Sequence, residues 1–194
     1  MSVEFLLLLC AAYLIGSISF AVLLSRLQHL PDPRSLGSGN PGASNMLRLG
    51  NKPLALATLL GDLGKGALAV WLASRMLPGL TSLGWVGLAA VVGHILPIFH
   101  NLRGGKGVAT AAGVLFMLYW PAAAVAALIW LAVFAVQRIA SLACLAACLG
   151  LLPWLAWYAP SLLAPVGLMV LLILLRHRLN IGRLLTGTEN RFKR

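Results

Sequence analysis

The sequence predicts an all-α polytopic membrane protein with about seven transmembrane helices, and three observations support that prediction. Hydrophobic residues make up 60% of the 194 residues and charged residues only 10%, whereas soluble domains average about 45–50% and about 25%. The mean hydropathy is +0.93. Apolar runs follow one another along the chain with short polar loops between them. At about 20 residues a span, the length holds at most seven spans and no soluble domain, so residues 1–194 are predicted to form a single integral membrane domain.

Three apolar runs fill the first half of the chain, at residues 5–24, 53–72 and about 80–99. The first is interpreted as a retained span, because Glu4 but no basic residue precedes it and no small-residue cleavage site follows residues 6–9. The second run contains Asp62 and Lys65, which are three residues apart and can pair on a helix. Because an unpaired charge at mid-bilayer costs at least ~2.5–3.5 kcal/mol, these residues are expected to form either a structural ion pair or part of a substrate site.

The second half, residues 108–175, is almost continuously apolar, with breaks at residues 120–121, 137–138 and 158–160. Residues 108–136 are long enough for one kinked span. Lys106 and Arg138 are both expected in the cytoplasm, however, so an even number of crossings separates them. Two helices are therefore predicted, the first of only about 12 residues or about 18 Å. Whether residues 108–121 cross the whole bilayer is left open.

The distribution of the Lys and Arg residues, which give a net charge of +11, fixes the predicted orientation. With seven crossings and the N-terminus outside, thirteen of the 15 Lys and Arg residues fall on the cytoplasmic side, as the positive-inside rule requires. Those residues are Arg26, Arg34, Arg48, Lys52, Arg103, Lys106, Arg138, Arg176, Arg178, Arg183, Arg191, Lys193 and Arg194. Topology and anionic ligands explain this charge better than nucleic acid does. The spacing of Cys10, Cys144 and Cys148 indicates neither a disulfide framework nor a metal site.

The first polar cluster spans residues 35–45 and is followed by Arg48. Its G-x-G-x-x-G string lacks the preceding strand of a dinucleotide site, and Ala43 stands where a nucleotide-binding P-loop needs lysine. Glycines nevertheless let backbone N–H groups converge on an anion. A plain turn is the alternative, but a turn needs fewer side-chain donors than this loop carries. A phosphate or carboxylate site is therefore predicted, with Gly37, Ser38, Gly39, Asn40, Gly42, Ser44 and Asn45 as its members.

Two further clusters follow. Glycines flank Lys106, which leaves its backbone open and its ammonium free to approach a phosphate, although a flexible positive-inside loop has the same composition. The third cluster begins at Arg176-His177 and continues through Asn180 to Glu189. If the last helix continues, Arg176, Asn180 and Arg183 share one stripe. The alternative is an ordinary cluster of basic residues that ends a final span. It explains the arginines but not His177, Asn180 or Glu189.

These three clusters together resemble the bacterial acyl-phosphate-dependent glycerol-3-phosphate acyltransferases, which are integral membrane enzymes of phospholipid synthesis. The matching motifs lie at residues 37–48, 93–110 and 176–189, and Ser44 stands where many members have threonine. The resemblance implies a seven-helix fold in the bacterial inner membrane with its site facing the cytoplasm. It also implies acyl transfer from acyl phosphate to the 1-hydroxyl of glycerol 3-phosphate, with no cofactor and no metal.

In that reaction the residues 37–45 are expected to hold the acyl phosphate. The acceptor is expected to contact Ser35, Arg48, Lys106, His177 and Asn180, with His177, Lys106 and Arg48 as the catalytic candidates. Either His177 or the phosphate of the donor takes the hydroxyl proton. Glu189, Asp62 and Lys65 are expected to be structural. A transporter or binding protein for anionic phosphate metabolites is the alternative, although no repeated half is visible. The oligomeric state is not predicted.

Overall fold

Residues 2–192 are described by a computed structural model and lie mainly in helices, with no strand among them. Met1, Lys193 and Arg194, to which the topology prediction assigns sides of the membrane, lie outside the described residues. The ten α-helices are α1 (Val3–Gly16), α2 (Phe20–Leu27), α3 (Ala43–Arg48), α4 (Lys52–Ser74), α5 (Leu80–Ile95), α6 (Val108–Leu118), α7 (Trp120–Gln137), α8 (Ala140–Tyr158), α9 (Leu163–Arg176) and α10 (Arg178–Leu185).

The helix lengths confirm an all-α, multi-pass membrane protein. Four helices (α4, α5 with the turn after it, α7 and α8) are long and apolar enough to cross a bilayer by themselves. The bent pairs α1–α2 and α9–α10 raise the number to six if each pair is one span. Helix α6 has only 11 residues, and the predicted break before Pro121 does separate it from α7. The count of seven spans stays a prediction.

The first apolar run is broken, which its hydropathy does not predict. Helices α1 and α2 meet at an angle of 45° across residues 17–19. The Ser17 hydroxyl donates to Tyr13 O at 2.8 Å, a bond that competes with the helical ladder. The same hydroxyl accepts from Ile98 N at 3.4 Å, and the Tyr13 hydroxyl donates to Leu96 O at 2.8 Å. The break therefore attaches α1 to the segment that leads into the loop of Lys106.

Glycines bring α4 and α6 into backbone contact. A Cβ at Gly66 would meet Thr110 O, and a Cβ at Gly113 would meet Leu63 O. Small residues at such positions let membrane helices approach closely where apolar side chains gain little from leaving lipid. Because α6 begins two residues after Lys106, this contact fixes the position of Lys106 along the axis of α4.

The last helix does not continue through its basic residues. Helices α9 and α10 meet at His177 with an angle of 59°, so the expected single stripe of Arg176, Asn180 and Arg183 is wrong. Arg176 donates instead to Gly104 O at 2.9 Å and to Gly105 O at 3.1 Å. The bend separates the arginine that holds the glycine loop from the residues of α10.

Candidate functional site

A cavity of about 470 Å³ lies among α3, α4 and α6–α10, and we call it the main cavity. Its volume is in the range of small-molecule sites. Loops and helix ends contribute its polar lining, whereas the interiors of α6–α9 contribute an apolar lining. The polar lining residues are Ser38, Asn40, Ser44, Asn45, Arg48, Asp62, His94, Lys106, Ser141, His177, Asn180 and Glu189.

Lys106 is the cation held most firmly in this cavity. Its Nζ donates to Asn180 Oδ1 at 2.5 Å. Burial lowers the pKa of Lys106 to about 8, because leaving water penalises the ammonium. The glycine before it has no room for a side chain, since a Cβ at Gly105 would meet the His94 ring. The loop therefore presents Lys106 from a backbone that rests directly on α5.

Asn180 and Glu189 form one hydrogen-bonded network with their neighbours. Asn180 Nδ2 donates to Glu189 Oε1 at 2.7 Å, which turns its oxygen toward Lys106. Ser141 donates to the same Oε1 at 3.0 Å, and Arg183 Nε donates to Oε2 at 2.6 Å. Burial acts to raise the pKa of Glu189, but the bonds from Arg183, Asn180 and Ser141 outweigh it and keep the pKa below its usual value. This geometry fits the structural role expected of Glu189.

His177 is buried, and one of its ring nitrogens is occupied. Its Nδ1 lies 2.8 Å from Ile173 O. A carbonyl oxygen only accepts, so Nδ1 carries the proton and the lone pair of Nε2 is left for the cavity. That tautomer suits a group that receives a proton.

The loop of residues 37–45 is organised around Asn45, which is only 1% exposed. Asn45 Oδ1 accepts from Ser38 N at 2.9 Å and from the Ser38 hydroxyl at 3.2 Å, while Nδ2 donates to Pro33 O and Leu36 O. With its amide occupied in this way, Asn45 holds the loop rather than a ligand. Of the seven residues predicted here, five line the main cavity: Ser38, Asn40, Gly42, Ser44 and Asn45.

Gly37 and Gly39 do not line the main cavity. Gly37 has a φ of +57° and leaves no room for a Cβ beside Asn45 Oδ1, so it serves the turn. Gly39 lines a second cavity of about 480 Å³ together with Ser35. The Ser35 hydroxyl donates to Asp32 O at 2.8 Å. Ser35 thus lines the second cavity, whereas the other four expected acceptor residues (Arg48, Lys106, His177 and Asn180) line the main cavity.

Arg48 lines the main cavity and rests on an aromatic ring. Its guanidinium carbon lies 5.2 Å from the centre of the Phe192 ring. Phe192 contacts Phe134 of α7 edge-on, with ring centres 5.6 Å apart, and its backbone N donates to Arg138 O at 2.9 Å. The segment after α10 therefore folds back to the site, where Phe192 packs against the Arg48 guanidinium.

Asp62 and Lys65 form a buried ion pair, with 2.9 Å between Lys65 Nζ and Asp62 Oδ1. Lys65 also donates to Ile18 O at 2.6 Å, at the break between α1 and α2. His94 Nδ1 lies 3.6 Å from Asp62 Oδ1. These contacts fit a structural pair. Asp62 and His94 also line the main cavity. Asp62 of the ion pair and His94 therefore form part of the wall of the site.

Sequence reasoning missed Phe192 and Ser141 entirely. Phe192 lies beyond the third motif, and nothing in its neighbours marks a contact with a residue 144 positions earlier. Ser141 stands in an apolar run, where one hydroxyl is ordinary; its signal is that it opens α8 just after a basic turn. Among residues 2–192, no three His, Cys, Asp or Glu side chains converge as metal ligands.

Comparison with known proteins gives a consistent result. Residues 6–187 match the family model described as "Glycerol-3-phosphate acyltransferase". Curated proteins of that name from Pseudomonas syringae pv. syringae and Azotobacter vinelandii are 53% and 54% identical, and the alignments cover 97% and 96% of this chain and 98% of each relative.

Two solved structures of PlsY, described as an integral membrane glycerol 3-phosphate acyltransferase, are also similar. The glycerol 3-phosphate form superposes with a TM-score of 0.91 at 39% identity, covering 97% of this chain and 96% of that one. The form with lysophosphatidic acid gives 0.89 at 38% identity, covering 97% and 95%.

Proposed function

We propose, for a chain that belongs to the glycerol-3-phosphate acyltransferase family, that it moves a fatty acyl group from acyl phosphate to the 1-hydroxyl of glycerol 3-phosphate. The products are lysophosphatidic acid and inorganic phosphate. The enzyme class and the acceptor are those of its relatives, and the two PlsY forms contain the acceptor and the acylated product. The acyl phosphate donor and the residue roles below are our own assignments.

The observation that carries this proposal is that the main cavity has both a cationic, polar lining and an apolar lining. Lys106 and Arg48 supply two cations in its polar lining, while α6–α9 supply an apolar lining that includes Trp130, Leu131 and Leu151. A reaction between a phosphate-bearing acceptor and an acyl donor needs both surfaces in one space. Because α7 and α8, which supply part of this apolar lining, are candidate membrane spans, the acyl chain is expected to enter from the bilayer.

Each substrate is assigned to part of the polar lining. The side chains of Asn40 and Ser44 are expected to hold the donor phosphate, because the N–H and hydroxyl of Ser38 already donate to Asn45 Oδ1 and the N–H of Gly42 donates to Asn40 O. Arg48 and Lys106 are expected to bind the acceptor phosphate through charge-assisted hydrogen bonds. His177 and Asn180 then face the hydroxyls of the acceptor, and Ser35 is left out because it lines the second cavity.

The proposed chemistry is a direct transfer. The 1-hydroxyl oxygen attacks the acyl carbon, the bond between that carbon and the phosphate oxygen breaks, and inorganic phosphate leaves. The hydroxyl proton passes to Nε2 of His177 or to the departing phosphate. Catalysis rests on positioning and on charge stabilisation, because a mixed anhydride is already activated.

The deciding experiment uses the full chain purified in micelles. Phosphate release and lysophosphatidic acid formation are measured with acyl phosphate and glycerol 3-phosphate, and parallel reactions offer an acyl thioester as donor. Equal molar formation of both products from acyl phosphate alone supports the proposal. Turnover with the thioester alone would overturn the donor assignment. Movement of glycerol 3-phosphate across sealed vesicles without acylation would favour the transporter alternative instead.

We also propose that the protein lies in the bacterial inner membrane with the site facing the cytoplasm. The support is the charge distribution of the loops, because the positive-inside rule places Arg48, Arg103 and Lys106 together. Cysteines introduced at Ser38 or Arg103, in a background where Cys10, Cys144 and Cys148 are alanine, should resist a membrane-impermeant thiol reagent added to whole cells. A cysteine at Arg75 should react, and labelling at Ser38 or Arg103 would reverse the orientation.

The pKa of Lys106 predicts a pH dependence. Its ammonium is present below about pH 8 and is lost above it, whereas a phosphate monoester is already a dianion above its second pKa of about 6. The value of kcat/KM for glycerol 3-phosphate should therefore fall as the pH rises through about 8, since this parameter reports the free enzyme. The residual activity of Lys106→Arg, whose guanidinium stays charged, should lack this fall. An identical profile in both proteins would assign the fall to another group.

Phe192 is predicted to position Arg48. Phe192→Ala should raise the KM for glycerol 3-phosphate about three- to tenfold with little change in kcat, since cation–π contacts contribute roughly 0.5–2 kcal/mol. Phe192→Trp should restore the KM. The effect should shrink in an Arg48→Ala background, where there is no guanidinium to position. An equal rise in KM with and without Arg48 would show that Phe192 acts elsewhere.

A further inference from the structure

The second cavity lies against the opposite side of the two loops that build the main cavity. It is lined by Asp32, Arg34, Ser35, Gly39, Asn101, Leu102, Arg103, Gly104 and Arg176. Gly39 lies between Ser38 and Asn40, which line the main cavity, and Gly104 lies two residues before Lys106. The same two loops thus line both cavities, but no residue lines both of them.

Positive charge dominates this second cavity. Three arginines face one carboxylate, and that carboxylate is already used. Asp32 receives the Arg34 guanidinium at 2.7 Å from Nη2 and at 3.0 Å from Nε. Arg103 and Arg176 therefore keep two positive charges without a counter-charge among the lining residues.

Two of the arginines are held in place before any ligand arrives. Arg34 donates to His100 O at 3.2 Å in addition to its pair with Asp32. Arg176 uses Nε and Nη2 on Gly105 O and Gly104 O, which leaves its Nη1 for another acceptor. A guanidinium fixed in this way loses little freedom on binding a phosphate, whose geometry matches the planar fork.

Exposed apolar side chains lie at and beside the rim of the second cavity. Leu102 lines the cavity and is 54% exposed, and the neighbouring Ile98 and Phe99 are 55% and 60% exposed. Ile98 and Phe99 lie in the last turn of the candidate span Leu80–His100, and Leu102 follows it. Exposed apolar side chains beside arginines at a span end suit the boundary between acyl chains and headgroups.

We propose that the second cavity binds a phosphate group between Arg103 and Arg176, as a site separate from the main cavity. The phosphate is either that of an anionic lipid headgroup or free inorganic phosphate. A bound phosphate would contact the loops that carry Ser38 and Lys106 on the side opposite the main cavity. Its binding would therefore be coupled to the position of the backbone that holds the substrates.

The test uses Arg103, because this residue is exposed, lines the second cavity and has no bond to the machinery of the main cavity. All proteins carry Lys106→Ala, which weakens phosphate binding in the main cavity. In the first arm, protein in phosphatidylcholine nanodiscs is titrated with inorganic phosphate by calorimetry. In the second arm, protein from nanodiscs containing phosphatidylglycerol is examined by native mass spectrometry for retained lipid.

Arg103→Ala should weaken phosphate or lipid retention about tenfold or more, as expected for the loss of a charge-assisted hydrogen bond. Arg103→Lys should recover part of the binding, and Lys52→Ala, which removes an exposed cation outside both cavities, should change nothing. An Arg103-dependent signal in the calorimetric arm identifies free phosphate, and one in the lipid arm identifies a headgroup. If neither signal responds to Arg103→Ala in a monodisperse protein, or if Lys52→Ala has an equal effect, the proposal is wrong.

Discussion

Replacing Lys106 with alanine is expected to lower kcat/KM for glycerol 3-phosphate by about 100-fold or more. Lys106 is held at 2.5 Å by Asn180 in the polar lining of the main cavity. Its loss removes one of the two cations assigned to the acceptor phosphate and leaves the oxygen of Asn180 without its donor. Steady-state phosphate release at varied acceptor concentration measures the effect.

Lys106→Arg is the sharper variant, because it keeps the charge. It should recover only part of the activity, since the longer planar guanidinium does not fit a position shaped for a point charge between Asn180 and the glycine loop. Lys52→Ala serves as the control for loss of a surface charge. A folded, monodisperse Lys106→Ala protein with near-normal turnover would remove Lys106 from the site.

Replacing His177 with alanine is expected to lower kcat about 100-fold or more if Nε2 takes the hydroxyl proton, since general base catalysis contributes about 10²–10⁴-fold. The acceptor KM should change less than kcat. An equal fall in binding alone would mean that His177 only positions the substrate.

His177→Asn separates these two roles. The asparagine amide can still donate to Ile173 O, as Nδ1 does at 2.8 Å, but it offers no basic nitrogen to the cavity. Asparagine should therefore be as slow as alanine if His177 is the base. Recovery of kcat by asparagine would assign the proton to the departing phosphate of the donor.

The sequence predicts the elements of this protein better than the bends between them. The break before Pro121 is visible because proline cannot continue the ladder of a preceding helix. The bends at residues 17–19 and at His177 have no such mark. Ser17 bonds to Ile98, and Arg176 bonds to Gly104 and Gly105, so these bends depend on partners more than 70 residues away.

The candidate site shows the same division. The motifs predict that Arg48, Lys106, His177 and Asn180 belong to one site, and the four residues do line one cavity. Motif composition does not indicate which cavity a loop residue lines: the sequence assigns Ser35 to the acceptor site and Gly39 to the donor site, whereas both line the second cavity. The facing of that loop is decided by the buried Asn45 amide, whose four hydrogen bonds exist only in the folded protein.

Helix α7 has a consequence for how substrates are selected. Of its 18 residues only Ala122 is buried, yet its residues Ala123, Trp130 and Leu131 line the main cavity. Its exposed residues, among them Leu128, Leu131 and Val136, are therefore expected to face lipid tails. Because helix tilt adjusts to the hydrophobic thickness of the bilayer, we expect the membrane to act as an adjustable outer wall for the acyl chain that we propose binds here. On the proposed function, the length of fatty acid that the protein accepts is then expected to depend on the surrounding lipids as well as on its own residues.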